Sequence, residues 1–442
     1  MDRKRKQSIM AIVLILCCAV ALRLAVAVYL GDEVAIGRDE QSYSALAERV
    51  ADGYGYSFDT PWYPFGKPAG EPTSHWSFLY TAYIAGIYAV FGSSPLIVRL
   101  IGALVGGILL PLMVYRLSRR AFPERPLVAL LALACGAVYA YFVLFAAQLM
   151  TETFYIIFLL WSLECALTLQ AHFSTGTKPG LGLILSFGLS LGLATLMRQA
   201  ILPWIAILFL LLLWVGFRNG RFQQALIALT VSGLTLVACI IPFTIRNYLV
   251  YDDFLLLNAN AGFAMYSAQH PFHGTEFQEY TAAPLPDDLD LSMSEAALDR
   301  ELMRRGIQFI LAEPGRYLLL SASRAVDYFV FWPMPQTSML NNVGRVLSFG
   351  LFLPLMLAGL WLSRRNWHDL WLLYAFMAFY TCLHIFTWAM VRYRLPVDAV
   401  LLLFAAVTLA AIWQRVQGVQ RTQGIQQGGL ELEMALPEHL DK

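Results

Sequence analysis

Two adjacent carboxylates follow the first long apolar run of the chain, and their type and position suit acid–base chemistry. Asp39 and Glu40 lie in the segment GRDEQSYS, shortly after an apolar run that ends near Leu30. An ionised carboxylate can accept the proton of a hydroxyl group that attacks a second molecule. We therefore expect Asp39, or Glu40 beside it, to be the general base of a transfer reaction. A solvated helix start would explain the same pair without any chemistry.

Arginines near the ends of other apolar runs could supply the complementary chemistry. The planar guanidinium group donates two parallel hydrogen bonds, which suits a phosphate group. A base together with such cations is what transfer of a sugar from a lipid phosphate requires. Simpler roles are open for the same residues, such as snorkelling anchors, structural hydrogen bonding and favourable placement at a helix N-terminus. The candidate substrate-binding residues are His75, Glu152, Arg198, Arg246, Asn247, Arg392 and Arg394.

The composition indicates an integral membrane protein. Of the 442 residues, 58% are hydrophobic and 14% are charged, whereas soluble domains carry roughly 25% charged residues. The deficit arises from recurring apolar runs of the length that crosses a bilayer. The net charge of +1 gives no reason to expect a nucleic-acid partner. No cofactor and no metal is predicted, because nucleotide-binding and zinc motifs are missing and the Asp288-Leu289-Asp290 triplet is typical of a solvated acidic turn.

The fold class that follows is an all-α polytopic membrane protein with about ten transmembrane helices. Lys and Arg in short loops orient these helices, since such residues concentrate on the cytoplasmic side. Two apolar segments, Trp76–Phe91 and Gly315–Trp332, are better explained as interfacial or re-entrant helices. After the first helix, the expected spans cover residues 95–116, 127–146, 152–170, 181–197, 200–217, 225–245, 343–362, 370–388 and 395–413.

This arrangement divides the chain into six regions. They are a first transmembrane helix (1–30), an outer loop with interfacial helices and the Asp–Glu pair (31–94), transmembrane helices two to seven (95–245), a large outer segment (246–342), transmembrane helices eight to ten (343–414) and a cytoplasmic tail (415–442). All candidate site residues then map to the outer side. Ionisable residues at membrane depth are costly and tend to mark function.

Two other functions are compatible with polar residues gathered at the outer ends of the spans. A transporter or flippase of lipid-linked sugars would usually place coupling residues near the bilayer midplane on broken helices. Here the centres of the spans are almost free of charge, which favours an enzyme. A catalytically silent scaffold is the third alternative, and the intact Asp39-Glu40 pair argues against it.

Several strings, in chain order, resemble the polyprenyl-phosphate-sugar-dependent glycosyltransferases of the GT-C fold. That superfamily includes the aminoarabinose transferase of lipid A and the dolichyl-phosphate-mannose protein mannosyltransferases. The strings are GRDEQSYSALAERVADGYGYS, SPLIVRLIGALVGGILLPLMVYRLSRRAF, AAQLMTETFYIIFLLW, GLATLMRQAILP, IIPFTIRNYLVYDDFLLLNANAGFAMYSAQHP and RYRLPVDAVLLLFAA.

The resemblance implies a specific reaction. Asp39 would be the general base of an inverting transfer, supported by Glu40, and Glu152 would lie in the cavity. Arg198, Arg246, Arg392 and Arg394 would lie on the phosphate side. The partners would be a polyprenyl-phosphate-linked sugar donor, a lipid or glycan acceptor and the surrounding membrane lipids.

Two departures from the family pattern bear on the acceptor. The string EPTSHWSFLY stands where relatives often have a Pro-Gly-Tyr-like turn, so acceptor contacts do not carry over there. The large extra domain of the eukaryotic protein mannosyltransferases is not expected, which weighs against a protein acceptor of that kind. We expect the protein in a bacterial inner (plasma) membrane, with its site facing the periplasm or exterior.

Overall fold

Long apolar runs form helices here, because a helix satisfies its own backbone hydrogen bonds where no water is available. The computed structural model describes residues 3–34, 39–278, 281–335 and 337–434, with side chains from residue 6 to residue 417 of these ranges. In the part of the chain so described there is no β-strand, and only two isolated β-bridges occur. The predicted all-α fold is confirmed.

The helices, in chain order, are α1 (Arg3–Leu30), α2 (Asp39–Ala51), α3 (Phe78–Phe91), α4 (Pro95–Ala121), α5 (Pro126–Val138), α6 (Ala140–Ala147), α7 (Glu152–Thr175), α8 (Leu181–Met197), α9 (Leu202–Arg218), α10 (Phe222–Tyr251), α11 (Ala261–Gln269), α12 (Glu295–Ala312), α13 (Pro314–Phe329), α14 (Met339–Arg345), α15 (Leu351–Ser363), α16 (Trp367–Phe386) and α17 (Val391–Met434). A π-helical turn at Val346–Gly350 joins α14 to α15, and short 3₁₀ turns lie at Gln199–Ile201, Pro271–His273 and Arg364–Asn366.

The protein is a multi-pass membrane protein by the length and apolar character of these helices. Among the described residues, seven helical segments are long and apolar enough to cross a membrane, or eight when the bent pair α5–α6 is included. The expected count of ten is not confirmed by this measure. The seven are Lys6–Leu30, Pro95–Ala121, Glu152–Thr175, Gln199–Arg218, Phe222–Tyr251, Met339–Phe386 and Val391–Gln417.

The segment Met339–Phe386 doubles back on itself. The ring of Phe349 lies 6.2 Å from that of Phe329, and the ring of His384 lies 6.4 Å from that of the neighbouring Tyr328. In a straight helix, residues 35 positions apart would be separated by roughly 50 Å. The chain therefore turns at Arg364–Asn366, and this segment contains two apolar arms.

Two expected spans differ from the helices observed. The third span, expected as one helix over 127–146, bends by 52° between α5 and α6, where Tyr139 has an extended backbone. The seventh span, expected to end at Ile245, continues to Tyr251, and it ends only where Asp252 adopts a left-handed conformation with φ of 48°. The end of the apolar run is thus not the end of the helix. The last eight residues of the expected tail, 435–442, lie outside the described residues.

The first outer loop and the large outer segment pack together over the helix ends. Phe65 from the loop joins Phe263 and Leu298 from the outer segment in one buried apolar cluster. The backbone N–H of Ser74 donates to the Glu295 carboxylate at 2.7 Å, where Glu295 begins α12. These contacts hold the loop that carries Asp39 in a fixed place. The interfacial position expected for α3 and α13 stays a prediction.

The close packing of α15 on α17 gives a test of the fold. A Cβ atom on Gly359 would lie 1.8 Å from the backbone oxygen of Phe404, so the two helices would have to separate. We expect Gly359→Ala to lower the free energy of unfolding by about 2 kcal/mol or more. Gly182→Ala is the control, because a Cβ atom there meets nothing within 4 Å. Alanine should stabilise α8 by up to about 1 kcal/mol. Thermal unfolding in detergent measures both, and equal effects would contradict the packing.

Candidate functional site

Four charged side chains from distant parts of the chain meet in one network. Arg392 Nη1 donates to Asp39 Oδ2 at 2.6 Å, and Arg198 Nη2 donates to Glu152 Oε1 at 2.5 Å. The two ion pairs adjoin, since Arg392 Nε lies 3.8 Å from Glu152 Oε1. Asp39, Glu152, Arg198 and Arg392, four of the residues predicted from sequence, are thus brought together. We call them the charge network.

The ends of helices place these four residues. Asp39 is the first residue of α2 and Glu152 is the first residue of α7, where carboxylates interact favourably with the helix N-terminus. Arg198 lies in the turn after α8, with its Nε donating to Thr151 Oγ1 at 2.8 Å. Arg392 is the second residue of α17. Helix ends bring charges to one level without placing them in the apolar centres of the spans.

Parts of the charge network are open to a ligand. The side chain of Asp39 is 34% exposed, and those of Arg392 and Arg198 are 20% and 17% exposed. Within the described residues, Arg392 Nε and Glu152 Oε2 are buried without a hydrogen-bond partner. Buried polar atoms normally have partners. An unsatisfied guanidinium N–H beside a second arginine suits an anionic group.

Aromatic rings line the arginine side of the network. The guanidinium group of Arg198 lies 5.1 Å from the ring centre of Tyr393, and that of Arg392 lies 5.3 Å from the same ring. Tyr155 and Tyr380 are joined by a hydroxyl–hydroxyl hydrogen bond of 2.9 Å behind Arg198. Tyr393 was not predicted, although it lies between two candidate arginines in the RYR string. This wall shields the cations from water and strengthens their interaction with an anion.

Glu40 has a different environment from its neighbour Asp39. It is buried and pairs with Arg99, whose Nη2 lies 3.0 Å from Glu40 Oε2. Arg99 also donates to the backbone oxygens of Ala147 and Glu33, at 2.9 and 2.7 Å. The pair therefore ties α2 to α4 and α6. Arg99 was not among the site residues predicted from sequence. A charged residue among the first apolar residues of a span was the feature that could have indicated it.

The two adjacent carboxyl groups differ in acidity. Burial alone would raise the pKa of Asp39, but the charge and hydrogen bond of Arg392, with Arg198 nearby, hold that pKa below its ordinary value. Burial raises the pKa of Glu40, and Arg99 offsets this only in part. Asp39 is consequently the ionised, partly exposed carboxylate, which fits the predicted base, while Glu40 supports the position of α2.

His75 lies near the charge network as a neutral group. Burial lowers its pKa to about 4, and the charge of Asp39 opposes this shift. Its Nδ1 lies 3.1 Å from the backbone oxygen of Ala259, and its ring contacts Trp76 and Phe263 edge-on. His75 therefore connects the first outer loop to the outer segment beside Asp39.

Arg246 and Asn247 form a second group, away from the charge network. Arg246 lies against the rings of Tyr56, Phe78 and Tyr251, and its Nη1 donates to Asn247 Oδ1 at 3.1 Å. Asn247 is fully buried and donates to the backbone oxygen of Leu257 at 2.7 Å. Both residues lie within α10, which continues past Ile245, the expected end of this span.

Arg394 is also separate from the charge network. It is fully buried, and its Nε lies 3.0 Å from Oδ1 of the equally buried Asp398. Asp398 in turn accepts a hydrogen bond of 2.7 Å from Tyr139, the residue at the α5–α6 bend. Arg394 also donates to the backbone oxygen of Tyr328. These contacts give Arg394 a structural environment rather than an open anion site.

Comparisons with known proteins identify the fold. Residues 75–245 match a family model described as dolichyl-phosphate-mannose-protein mannosyltransferase. A structure of the oligosaccharyltransferase AglB from Archaeoglobus fulgidus, in complex with an inhibitory peptide and a dolichol-phosphate, superposes with a TM-score of 0.59 at 15% identity, over 100% of this chain and 53% of that chain. The chain has the GT-C glycosyltransferase fold.

Two further solved structures are similar to this chain. A second Archaeoglobus fulgidus oligosaccharyltransferase structure, tethered with an acceptor peptide, matches at a TM-score of 0.57 and 16% identity, over 93% of this chain and 50% of that chain. ArnT from Cupriavidus metallidurans bound to undecaprenyl phosphate matches at 0.38 and 15% identity, over 90% of this chain and 78% of that chain. The chain spans about half the length of the oligosaccharyltransferases it matches. No curated protein sequence matches it.

Across the described residues, no group of three or more His, Cys, Asp or Glu side chains is arranged to hold a metal ion.

The buried Glu40–Arg99 pair gives a stability prediction. Removing one partner of a buried pair leaves an uncompensated charge. Arg99→Met should therefore lower the free energy of unfolding by about 3–5 kcal/mol. Arg116→Met is the control, because Arg116 is 50% exposed where it pairs with Glu164. Arg116→Met should lower the free energy of unfolding by less than about 1 kcal/mol.

The pH dependence of the same variant follows from the pKa of Glu40. A carboxyl group whose pKa is raised on folding stabilises the folded protein most at low pH. That contribution is lost as the pH rises above 4.5, the ordinary pKa of a Glu side chain. Removing Arg99 raises that pKa further, so the deficit of Arg99→Met should grow with pH. Unfolding measured from about pH 5 to about pH 8 tests this. A deficit that is constant with pH would contradict the pairing.

Proposed function

We propose that this GT-C protein is a membrane glycosyltransferase that transfers a sugar from a polyprenyl-phosphate carrier to a lipid or glycan acceptor. The observation that carries the proposal is the charge network, in which a partly exposed carboxylate lies beside two cations with an unsatisfied guanidinium N–H. The similar oligosaccharyltransferase AglB was solved in complex with a dolichol-phosphate, which supports this donor class. The reaction takes place at the membrane, because the donor is itself a lipid.

Each residue of the charge network has a separate role in the reaction. Arg392 and Arg198 bind the phosphate of the donor and stabilise the charge that develops on it. The acceptor hydroxyl attacks the anomeric carbon from the opposite side, and the bond from that carbon to the phosphate oxygen breaks. Asp39 takes the proton of the hydroxyl, so that a glycoside with inverted configuration and a polyprenyl phosphate are formed. Glu152 holds Arg198 in position through their 2.5 Å contact.

Arg392 has a double role in this scheme. In the free protein it is bonded to Asp39 at 2.6 Å, which stabilises the carboxylate and weakens it as a base. A phosphate group competes for the same guanidinium. Donor binding therefore draws Arg392 away from Asp39 and raises the basicity of Asp39 only when the donor is present.

The setting of the reaction follows from the distribution of positive charge. The basic residues Arg119, Arg120 and Arg218 lie in the last turns of α4 and α9, whereas the charge network lies at the starts of α2, α7 and α17 and just after α8. Since Lys and Arg concentrate on the cytoplasmic side, this distribution supports an outer position for the network. We infer that the site faces outward from a bacterial inner (plasma) membrane, toward the periplasm or exterior.

Substitutions in the charge network separate chemistry from donor binding. Asp39→Asn should reduce sugar transfer by at least about 100-fold, because a general base contributes about that factor or more. Donor affinity should be unchanged or higher in this variant, since Arg392 is released. Arg392→Ala should weaken donor binding much more than Arg246→Ala, because only Arg392 belongs to the network.

The assay is transfer from radiolabelled polyprenyl-phosphate sugars by purified protein, with donor binding measured in parallel. Asp52→Asn is the matched control, because Asp52 is an exposed carboxylate just beyond the same helix α2. Full turnover by Asp39→Asn would move the base elsewhere. Equal donor affinities for Arg392→Ala and Arg246→Ala would remove the phosphate role of Arg392.

The double role of Arg392 predicts two different acid limbs. The pH profile of kcat/KM reports the free protein, in which Arg392 holds the pKa of Asp39 below its ordinary value against the effect of burial. The profile of kcat reports the donor complex, in which that restraint is weaker. The acid limb of kcat should therefore lie at higher pH than that of kcat/KM. Coincident limbs would mean that Arg392 stays on Asp39 during turnover.

A further inference from the structure

The link between α16 and α17 leads directly into the charge network. It covers residues 387–390, and Arg392 follows as the second residue of α17. The backbone oxygen of Met390 accepts a hydrogen bond of 3.0 Å from the backbone N–H of Tyr393, so the end of the link also belongs to the first turn of α17. The path of the link therefore determines where the Arg392 guanidinium group lies in the network.

The outer segment holds this link by hydrogen bonds to its backbone. Gln269, the last residue of α11, donates from Nε2 to the backbone oxygens of Phe386 and Thr387, at 3.4 Å each. Tyr317 of α13 donates its hydroxyl to the same Phe386 oxygen at 3.1 Å. Phe386 is the last residue of α16, where carbonyl groups have no partner within the helix. The outer segment thus supplies donors at the point where α16 ends and the link begins.

A buried arginine fixes the orientation of the Gln269 amide. Arg324 of α13 is fully buried, and its Nη2 donates to Gln269 Oε1 at 2.9 Å and to the backbone oxygen of Ala268. A guanidinium group only donates hydrogen bonds, and a carbonyl oxygen only accepts them. A side-chain amide can serve both, with its oxygen toward Arg324 and its nitrogen toward the link. A carboxylate of the same length can accept from Arg324 but cannot donate to the link.

Aromatic rings add to these contacts. Phe277 of the outer segment packs edge-on against Trp388 with ring centres 5.6 Å apart, and the Arg324 guanidinium group lies 4.9 Å from the Phe277 ring centre. His384 Nδ1 lies 3.3 Å from the backbone oxygen of Trp388, and the His384 ring stacks on Tyr393 at 4.8 Å. The link therefore contacts both the outer segment and the aromatic rings that line the charge network.

From this arrangement we infer that Gln269 and Arg324 are positioning residues for the donor phosphate, which act through the link on Arg392. The inference rests on the proposed function, because that function assigns the phosphate to Arg392. Gln269 and Arg324 lie in the outer segment, outside the four parts of the chain that supply the charge network. The outer segment and the donor site are consequently coupled, so that a change in one alters the affinity of the other for its partners.

A fixed link favours donor binding because Arg392 has to change its partner. In the proposed reaction its guanidinium group exchanges Asp39 for the donor phosphate. A group that is already ordered loses little conformational entropy on binding, whereas a mobile group must be ordered by the ligand. The hydrogen bonds to Phe386 and Thr387 hold the backbone a few residues before Arg392. Only the side chain then needs to move.

Gln269→Glu separates positioning from stability. The glutamate can pair with Arg324, whose Nε and Nη1 are buried without a hydrogen-bond partner among the described residues. We therefore expect thermal unfolding of the full chain in detergent at the wild-type temperature or above. Because the glutamate cannot donate to the link, the affinity for radiolabelled undecaprenyl phosphate should fall about tenfold. A residue that only satisfies Arg324 would show no such loss.

A double-mutant cycle tests whether Gln269 acts through Arg392. In the Arg392→Ala protein, Gln269→Glu should cause little further loss of affinity, since both substitutions remove the same contribution. Gln278→Glu is the matched control, because Gln278 is exposed in the same outer segment, and it should keep the wild-type affinity. Tyr317→Phe removes one hydroxyl donor to the same link and should weaken binding by less than Gln269→Glu does.

The outcomes separate this inference from the proposed function. Wild-type affinity in Gln269→Glu, with a loss in Arg392→Ala, overturns the inference while the phosphate role of Arg392 stands. Additive losses in the double variant also overturn it, because Gln269 would then act independently of Arg392. If Gln269→Glu does not fold, wild-type affinity in Tyr317→Phe overturns the inference and a loss of affinity supports it. Wild-type affinity in Arg392→Ala would refute the phosphate role itself and the inference with it.

Discussion

The cost of placing charges at the edge of a membrane is the constraint on which this site depends. An isolated buried charge is unstable, and a buried pair is tolerated only when its geometry is good and its remaining atoms are satisfied. The charge network balances two cations with two anions drawn from four parts of the chain. The first outer loop, the start of α7, the turn after α8 and the start of α17 must all lie correctly for the four charges to compensate one another. Assembly of the site and completion of the fold are therefore one process.

The same constraint explains why the network can act on a ligand. Compensation is incomplete in the part of the chain that the structure describes, since Arg392 Nε and Glu152 Oε2 lack partners. Within the same described part, the pairs Glu40–Arg99 and Arg394–Asp398 also leave one guanidinium nitrogen each without a partner. Both members of each of these pairs are buried, however, and they hold helices together. Arginines that look alike in sequence thus have different roles, and the exposure of the partner carboxylate distinguishes them. A transporter would need charges near the middle of the spans, whereas the network lies at helix ends.

Much of this could be predicted from sequence because apolar length and the position of charges are local properties. Asp39, Glu152, Arg198 and Arg392 were found as polar residues at the ends of apolar runs, and the structure brings these four together. Arg99 was missed because its partner Glu40 is far along the chain, and pairing between distant residues has no local signal. Arg246 was placed just beyond the seventh span because its apolar run ends at Ile245, whereas α10 continues through Arg246 to Tyr251.

In the proposed reaction, the donor phosphate takes Arg392 from Asp39. The most direct measurement is an experimental structure of the protein with a polyprenyl phosphate bound. We expect phosphate oxygens within hydrogen-bond distance of both Arg392 and Arg198, with the Arg392–Asp39 hydrogen bond broken and the Asp39 carboxylate free to accept a proton. A phosphate bound elsewhere, with Arg392 still bonded to Asp39, would contradict it.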